Sequence, residues 1–126
     1  MCKEGKIQKA YLLILKVKGE IKAGKLPEKY FDGIYIYVGS ANGKIGYKRV
    51  KRHIELALGL RNKKKWHIDY LLEKGKLLGV ILIQADCKGK LECKIAELLL
   101  KKGYKIAVKR FGSTDCKCEA HLFKIQ

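Results

Sequence analysis

Acidic residues are scarce in this chain, and their scarcity is the first constraint on its function. Asp and Glu together number 12 against 29 Lys and Arg, so the 126 residues carry a formal charge of +17. Exposed positive charge at this density repels itself unless a polyanion binds to it. Nucleic acid is the first candidate partner, and an anionic membrane surface is the second. Lys-rich surfaces are also common in proteins from hyperthermophiles, but their ion-pair networks need both signs, and here one sign dominates.

Long apolar runs are also missing. The longest one, Leu77 to Ile83, is far shorter than the roughly 20 residues that a membrane span needs. No basic amphipathic segment carries the aromatic face of a membrane anchor, and the N-terminal MCKEGK lacks the apolar core of a secretory signal. We therefore expect a cytoplasmic protein that does not bind membranes.

Proline occurs once, at Pro27, and neither a low-complexity linker nor a repeat divides the chain. The length suits one domain, and the 48% of hydrophobic residues can supply its core. We therefore expect a single domain over residues 1–126.

Cysteines number five, which is odd. In a cytoplasmic protein such cysteines are expected to be thiols or metal ligands rather than disulfides.

Hydrophobic periodicity predicts strands that alternate with helices. Strands are predicted at 11–17, 33–38, 77–85 and 105–111, with a short one at 120–125, and helices at 47–60, 66–73 and 91–102. The segment 19–30 reads as a loop, and Asp32-Gly33 as a turn before the second strand. The first two strands are predicted to form a hairpin, with 77–85 as a central strand beside it. The predicted fold class is a small α/β (α+β) domain in which helices flank a mixed, mainly antiparallel sheet.

Two residues of the first helix suit phosphate chemistry. Arg49 and His53 are four residues apart and share a helix face. The helix follows the Gly-rich loop 39–46, where a phosphate can approach closely. Arg is rare here, and its guanidinium favours bidentate contacts to phosphate. The alternative is a solvated basic face.

Further lysines and arginines extend this helix into a predicted basic strip. Such a strip follows a nucleic-acid backbone without reading bases, and its alternative is a solvated loop. Its members are Lys44, Lys48, Lys51, Arg52, Arg61, Lys63, Lys64 and Lys65.

Glu97 lies in the mostly apolar helix 91–102 and is expected to be largely buried. A buried carboxylate is costly unless a cation meets it, so a metal ion or a basic side chain is expected nearby. The alternative is a partly exposed carboxylate paired with Lys94 or Lys101.

A Cys-x-Cys-x-x-His motif comprises Cys116, Cys118 and His121, with Asp115 just before it. Zinc would need a fourth ligand, for which Cys93 or His67 is a candidate. Structural zinc sites more often use a CxxC pair, so packing with reactive thiols is the expected alternative. In the segment WHIDY, Trp66 and Tyr70 are expected in the core. His67 and Asp69 are expected to form either a second polar cluster near the metal or a plain hydrogen-bonded pair.

Five ordered blocks resemble a known family. They are GIYIYVGSA, KRVKRHI, KKKWHIDYLL, the helix from Cys93 to Glu97, and FGSTDCKCEAHLF. Tyr37-Val38-Gly39, followed by Arg49 and His53, resembles the second half of the GIY-YIG nuclease signature. Nearly the whole chain is similar to the small archaeal and bacterial Uri-type branch of these endonucleases, once catalogued as a domain of unknown function.

The first tyrosine of that signature is assigned to Tyr11. The literal string GIY at 33–35 lies one residue before YVG on the same strand, whereas the two triplets of the family lie on neighbouring strands. The better counterpart is Lys9-Ala10-Tyr11, in which Lys9 replaces the family's Gly.

The resemblance implies a role for each site residue. Tyr11 positions or deprotonates the attacking water with Tyr37 close by, Arg49 neutralises phosphate oxygens, and His53 orients a phosphate or assists proton transfer. Because a phenol is a weak base, Lys44, Lys48 or the metal is expected to lower the pKa of Tyr11.

The family also implies one Mg²⁺ or Mn²⁺ held by Glu97, and it offers Asp115, Cys116 and His121 as residues lining the cleft. The expected function is a monomeric, metal-dependent endonuclease acting on DNA, with RNA left open as a substrate. The alternatives are a non-catalytic nucleic-acid-binding module on the same fold and a zinc-stabilised interaction domain.

Overall fold

The described part of the chain forms a five-stranded antiparallel sheet with three helices. The computed structural model describes residues 6–109, Phe111 and 120–126. The strands are β1 (Lys6–Ile21), β2 (Lys29–Ser40), β3 (Lys76–Cys87), β4 (Lys105–Ile106) and β5 (Leu122–Lys124); the helices are α1 (Lys48–Ala57), α2 (His67–Lys74) and α3 (Leu91–Lys101). The strand order is β3-β1-β2-β5-β4, and every neighbouring pair is antiparallel. The predicted fold class is confirmed.

The hairpin of β1 and β2 is longer than predicted. Its register runs from Ala10 opposite Ser40 to Ile21 opposite Lys29. Asp32-Gly33, predicted as a turn, lies inside β2 opposite Val17 and Lys18. Gly33 is needed there for space, because a Cβ would overlap the carbonyl oxygen of Gln126. Pairing with β1 stabilises a segment whose own residues favour a loop.

The helices cover both faces of the sheet. Side chains alternate between the faces along each strand, so Tyr11 and Leu13 face the layer of α1 and α2. Leu12 and Val38 face α3 on the other side. Residues of α1 and of α3 are therefore separated by the sheet.

The third strand lies beside the hairpin as predicted, but the prediction that it is a central strand is wrong. Among the described residues β3 pairs with β1 alone and forms an edge of the sheet. The apolar run correctly indicated a strand, but hydrophobicity does not distinguish a central strand from an apolar edge. The strand predicted over 105–111 is reduced to β4, Lys105–Ile106.

The described cysteines, Cys87 and Cys93, are both disulfide-bonded. The prediction that the cysteines are thiols is wrong for these two. It depended on the expected reducing compartment, in which thiols stay reduced. Cys2, Cys116 and Cys118 lie outside the described residues.

No helix in the described part of the chain is long and apolar enough to cross a membrane.

Candidate active site

A buried hydrogen bond joins β1 to α1. The Oη of Tyr11 lies 2.7 Å from Nε2 of His53, and each residue is only 1% exposed. His53 lies between Val50 and Leu56 on the buried side of α1, so it belongs to the core stripe of this helix and does not merely border it. Helix α1 thus places the imidazole of His53 beside the hydroxyl of Tyr11.

Asp69 of α2 completes a row of three polar groups. Its Oδ1 lies 3.7 Å from Nδ1 of His53 and accepts a 2.9 Å hydrogen bond from Arg52 Nη1. Its Oδ2 accepts the backbone N–H groups of Lys65 and Trp66. Burial alone would raise the pKa of Asp69, but His53, Arg52 and these donors hold it well below its usual range. A fully buried carboxylate therefore stays charged beside His53.

Burial sets the protonation states of the other two groups. It lowers the pKa of His53, although Asp69 opposes the shift. It also raises the pKa of Tyr11 above its usual value, and the nearby Tyr37 adds to this. At neutral pH the Tyr11 hydroxyl is protonated and is hydrogen-bonded to a neutral His53.

The expectation that a lysine lowers the pKa of Tyr11 is wrong. Lys44 and Lys48 are exposed and are not among the groups that shift this pKa. Arg49 and Arg52 do lower it, but burial outweighs both.

The structure brings Tyr37 to the same place. Its ring centroid lies 6.3 Å from that of Tyr11 and 6.4 Å from that of His53. Gly39, the last residue of YVG, pairs with Tyr11 in the neighbouring strand, and a Cβ there would overlap the Tyr11 Cζ and Oη. Tyr35, from the literal GIY string, instead accepts the backbone N–H of Asp32.

Arg49 carries an unsatisfied donor beside this cluster. Its Nη1 donates to the carbonyl oxygen of Ser40 at 3.0 Å, and its guanidinium lies 5.0 Å from the centre of the Trp66 ring. Its Nε is buried without a hydrogen-bond partner. Buried polar groups are rarely left unpaired, so this N–H suits an incoming anion.

The predicted basic strip is divided by the structure. Arg52 is held by Asp69 and by the carbonyl oxygen of Lys63, Arg61 by Glu55, and Lys64 by Glu73. These three cations are already matched by carboxylates. The other members of the strip are exposed and form no ion pair within the described part of the chain: Lys44, Lys48, Lys51, Lys63 and Lys65.

Glu97 does not join the cluster. It is exposed on α3, across the sheet from the tyrosines, so its predicted burial is wrong. The buried acid of α3 is Glu92, at 8% exposure, on the same stripe as Ala96. Among the described residues, no group of three or more His, Cys, Asp or Glu side chains that could hold a metal ion occurs. Because α3 packs on the opposite face of the sheet, Glu97 is not placed to hold a metal beside Tyr11 and His53.

The C-terminal Cys/His motif is mostly outside the described residues, which exclude Asp115, Cys116 and Cys118. His121 is buried at 4% exposure. Cys93 is disulfide-bonded and is not available as a thiolate ligand.

The proposed pairing of His67 with Asp69 is replaced by the contacts of Asp69 with Arg52 and His53.

Trp66 was predicted only as a core residue, and Asp69 only as part of a second polar cluster near the metal or as the partner of His67; neither was assigned a role with Tyr11 and His53. The available signal was the spacing of WHID, in which an acidic residue three positions after a helix start accepts backbone N–H groups. That spacing predicts a cap, but it does not reveal the tertiary contact with His53.

A family model for the domain of unknown function DUF123 matches residues 10–126. The chain belongs to this family. No curated protein and no solved structure matches it. The DUF123 match covers both tyrosines, α1 and α2, so the whole Tyr11–His53–Asp69 row lies within the family domain.

Proposed function

We propose that this DUF123 domain is an endonuclease of GIY-YIG type that hydrolyses phosphodiester bonds in DNA. The observation that carries the proposal is the 2.7 Å contact of Tyr11 with His53, next to the unpartnered Nε of Arg49. A proton acceptor and an anion-binding donor are the two groups that such hydrolysis needs first. The charge of +17 supplies attraction to the backbone.

Proton transfer would run along the row of three side chains. As the oxygen of water bonds to phosphorus, the bond from phosphorus to the leaving sugar oxygen breaks, and that oxygen takes a proton from solvent. The proton of the attacking water passes to Tyr11 Oη while the phenol proton passes to His53 Nε2. The imidazolium so formed faces the charged Asp69. Because burial disfavours a phenolate at Tyr11, a concerted transfer avoids an intermediate that the site cannot stabilise.

Arg49 would bind the phosphate. Its N–H groups would donate to the non-bridging oxygens, on which charge grows in the transition state. Tyr11 and His53 are nearly inaccessible, whereas Arg49 and Trp66 are half-buried. Substrate must therefore displace a side chain from above Tyr11 before hydrolysis.

The test is a nicking assay on plasmid and branched DNA in Mg²⁺ or Mn²⁺, with matched variants. Arg49→Lys keeps the charge but loses the planar donor, so cleavage should fall by about 10²–10³-fold with DNA binding nearly unchanged. Arg61→Lys, at an arginine paired with Glu55, should cleave like wild type. Equal losses of binding and cleavage in Arg49→Lys would make Arg49 a docking residue only.

Tyrosine variants test the proton path in the same assay. Tyr11→Phe removes the hydroxyl that meets His53 and should abolish nicking. Tyr35→Phe removes a hydroxyl that bonds only locally to Asp32 and should leave nicking intact. Nicking by Tyr11→Phe at the wild-type rate would contradict the path.

The metal requirement stays a prediction from the resemblance, and EDTA addition tests it. Because Glu97 is exposed on the other face of the sheet, Glu97→Gln should cleave at the wild-type rate. Loss of cleavage in this variant, with binding retained, would restore Glu97 as the metal ligand.

A second candidate function is a non-catalytic module that binds nucleic acid. The 1% exposure of Tyr11 and His53 favours it, since the same hydrogen bond would then serve only the core. Salt-dependent DNA binding by a wild type that nicks no substrate would support this module over the nuclease.

A further inference from the structure

The carboxylate of Asp69 is fixed in orientation. Its Oδ2 accepts the backbone N–H groups of Lys65 and Trp66 at 2.7 and 2.9 Å, so this oxygen is held at the start of α2. The other oxygen, Oδ1, is thereby turned toward α1, where it accepts the 2.9 Å hydrogen bond from Arg52. With both oxygens anchored, the carboxylate cannot rotate away from His53 without breaking these contacts.

The Nδ1 atom of His53 lies next to this fixed oxygen. Nδ1 is 3.7 Å from Oδ1 of Asp69, is buried, and forms no hydrogen bond with any described residue. The other ring nitrogen, Nε2, lies 2.7 Å from the hydroxyl oxygen of Tyr11. A neutral imidazole carries one hydrogen, either on Nδ1 or on Nε2. The surroundings of the two nitrogens therefore decide which tautomer is present.

The charge of Asp69 favours one of the two tautomers. An N–H at Nδ1 directs the positive end of its dipole at the carboxylate, whereas a lone pair at Nδ1 directs negative charge at it. In a buried site this difference is large, because little water screens it. The carboxylate is ionised at neutral pH, since hydrogen bonds lower the pKa of Asp69 more than its burial raises it. Asp69 therefore has no hydrogen to donate to Nδ1.

We propose that Asp69 is a positioning residue that holds the hydrogen of neutral His53 on Nδ1. The lone pair of Nε2 is then left to accept the hydrogen bond of the Tyr11 hydroxyl, so the path for the phenol proton exists before substrate binds. Free histidine in water favours the opposite tautomer, in which Nε2 carries the hydrogen and has no lone pair for Tyr11. The tautomer of the free protein depends on these contacts alone, whereas its role in cleavage rests on the proposed function.

Nitrogen NMR of the free protein measures the tautomer directly. A ring nitrogen that carries hydrogen differs widely in chemical shift from one that does not, and correlations to the ring C–H hydrogens distinguish Nδ1 from Nε2. The chain has three histidines, so the signals of His53 can be identified as those lost in His53→Gln. At about pH 8, where histidine is neutral, the Nδ1–H form should predominate at His53. A predominant Nε2–H form would overturn the proposal.

Asp69→Asn should reverse the tautomer. The backbone N–H groups at Oδ2 cannot move aside, whereas the Arg52 side chain can, so the amide oxygen should take the Oδ2 position. The amide NH₂ then faces His53 and donates to Nδ1, which leaves the ring hydrogen on Nε2. Glu73→Gln is the matched control, because it makes the same change on the same helix at a carboxylate that pairs with Lys64. The control should keep the Nδ1–H form. A wild-type tautomer in Asp69→Asn would overturn the proposal.

A further variant keeps Asp69 and removes the other contact of the ring. Tyr11→Phe deletes the hydroxyl that lies beside Nε2. Because Asp69 sets the tautomer, the Nδ1–H form should persist in this variant. A switch to the Nε2–H form would assign control of the tautomer to Tyr11 and overturn the proposal. This variant and the wild-type spectrum decide the question even where Asp69→Asn does not fold.

The nicking assay measures what the tautomer contributes to cleavage. In Asp69→Asn no lone pair of His53 meets the phenol, so cleavage should fall by up to about 10⁴-fold, as a wrong histidine tautomer does in a serine-protease triad. DNA binding should stay nearly unchanged, and Glu73→Gln should cleave like wild type. Cleavage by Asp69→Asn at the wild-type rate would overturn the role of Asp69. A wild type that nicks no DNA but carries the Nδ1–H form would contradict the proposed function and still support the inference about the tautomer.

Discussion

Three arginines of one segment occupy three different environments. Arg49 keeps a buried Nε without a partner. Arg52 has a side chain 15% exposed and pairs with the fully buried Asp69, while Arg61 is 46% exposed and pairs with Glu55. The same residue type thus occurs with an unpaired buried donor, in a core ion pair and in a surface ion pair, and composition alone cannot assign these environments.

The two ion pairs should differ in their contribution to stability. Arg52→Gln leaves the Asp69 carboxylate buried without its cation, so the free energy of unfolding should fall by about 2–3 kcal/mol. Arg61→Gln breaks an exposed pair and should cost less than about 1 kcal/mol. Urea denaturation at pH 7 measures both. Equal losses in the free energy of unfolding would show that the buried carboxylate of Asp69 does not need the cation of Arg52.

Among the elements, the close approach of β2 to β1 at Gly39 is the tightest constraint on the site. Gly39→Ala should lower the free energy of unfolding by about 1–3 kcal/mol or more, because the new methyl group overlaps the Tyr11 ring. Gly79→Ala in β3 is the control, since a Cβ there meets nothing closer than Ile14 Cδ1 at 4.0 Å. Tyr11→Leu added to Gly39→Ala should recover part of the loss in urea denaturation. A Gly39→Ala variant as stable as Gly79→Ala would show that the Tyr11 ring moves aside at little cost.

Local patterns predicted the helices well. The predicted helix 91–102 differs from the observed α3, Leu91–Lys101, by one residue at its C-terminal end. The end was predictable because Gly103, just after the helix, adopts a positive φ. The hairpin was also predictable, since two strands in sequence usually pair. The lengths of β1 and β2 were not, because cross-strand hydrogen bonds stabilise residues that favour loops locally.

The candidate site was predictable only in part. Tyr11, Tyr37, Arg49 and His53 were assigned from a resemblance, and the structure places them around one cluster. Asp69 was expected only in a second polar cluster near the metal or as the partner of His67, because its contact with His53 joins two helices that no sequence spacing relates. Glu97 was expected to be the buried carboxylate of α3, whereas Glu92 is. Because most of this helix is apolar, its sequence does not show which side of the helix packs on the sheet.

For the whole molecule, acidification should weaken the fold as the pH falls through the ordinary range of histidine. Burial lowers the pKa of His53, His67 and His121 from the ordinary 6.5. The unfolded chain then binds protons near pH 6.5 that the folded chain does not. Stability is therefore full above that pH and decreases as the pH falls through it.

Melting temperatures between pH 7.5 and 5.5 measure this loss. Asp69 does not contribute to it, because its own contribution is lost only when the pH approaches the ordinary aspartate value of 3.8. A melting temperature that rises over this interval would show that protonation of the histidines favours the folded state.

The charge of the whole molecule predicts a steep salt dependence of DNA binding. If about six phosphates are contacted, log K should fall against log salt with a slope of roughly −5, irrespective of sequence. Lys48→Gln or Lys51→Gln should reduce that slope by about one unit each. Lys94→Gln, on α3 across the sheet, is the matched control and should not change it. Equal effects of all three variants would mean that DNA is not bound by the α1 face.

The chain has one tryptophan, and it lies within the candidate site. The cations of Arg49, Arg52 and Lys65 lie 4.7 to 5.0 Å from the centre of the Trp66 ring. An indole surrounded by charge changes its fluorescence when that charge moves. Arg49 leaving the ring for a phosphate would therefore alter the emission with no other indole to dilute the signal. The protein thus carries an intrinsic optical reporter of anion binding, readable by stopped-flow mixing without an attached label.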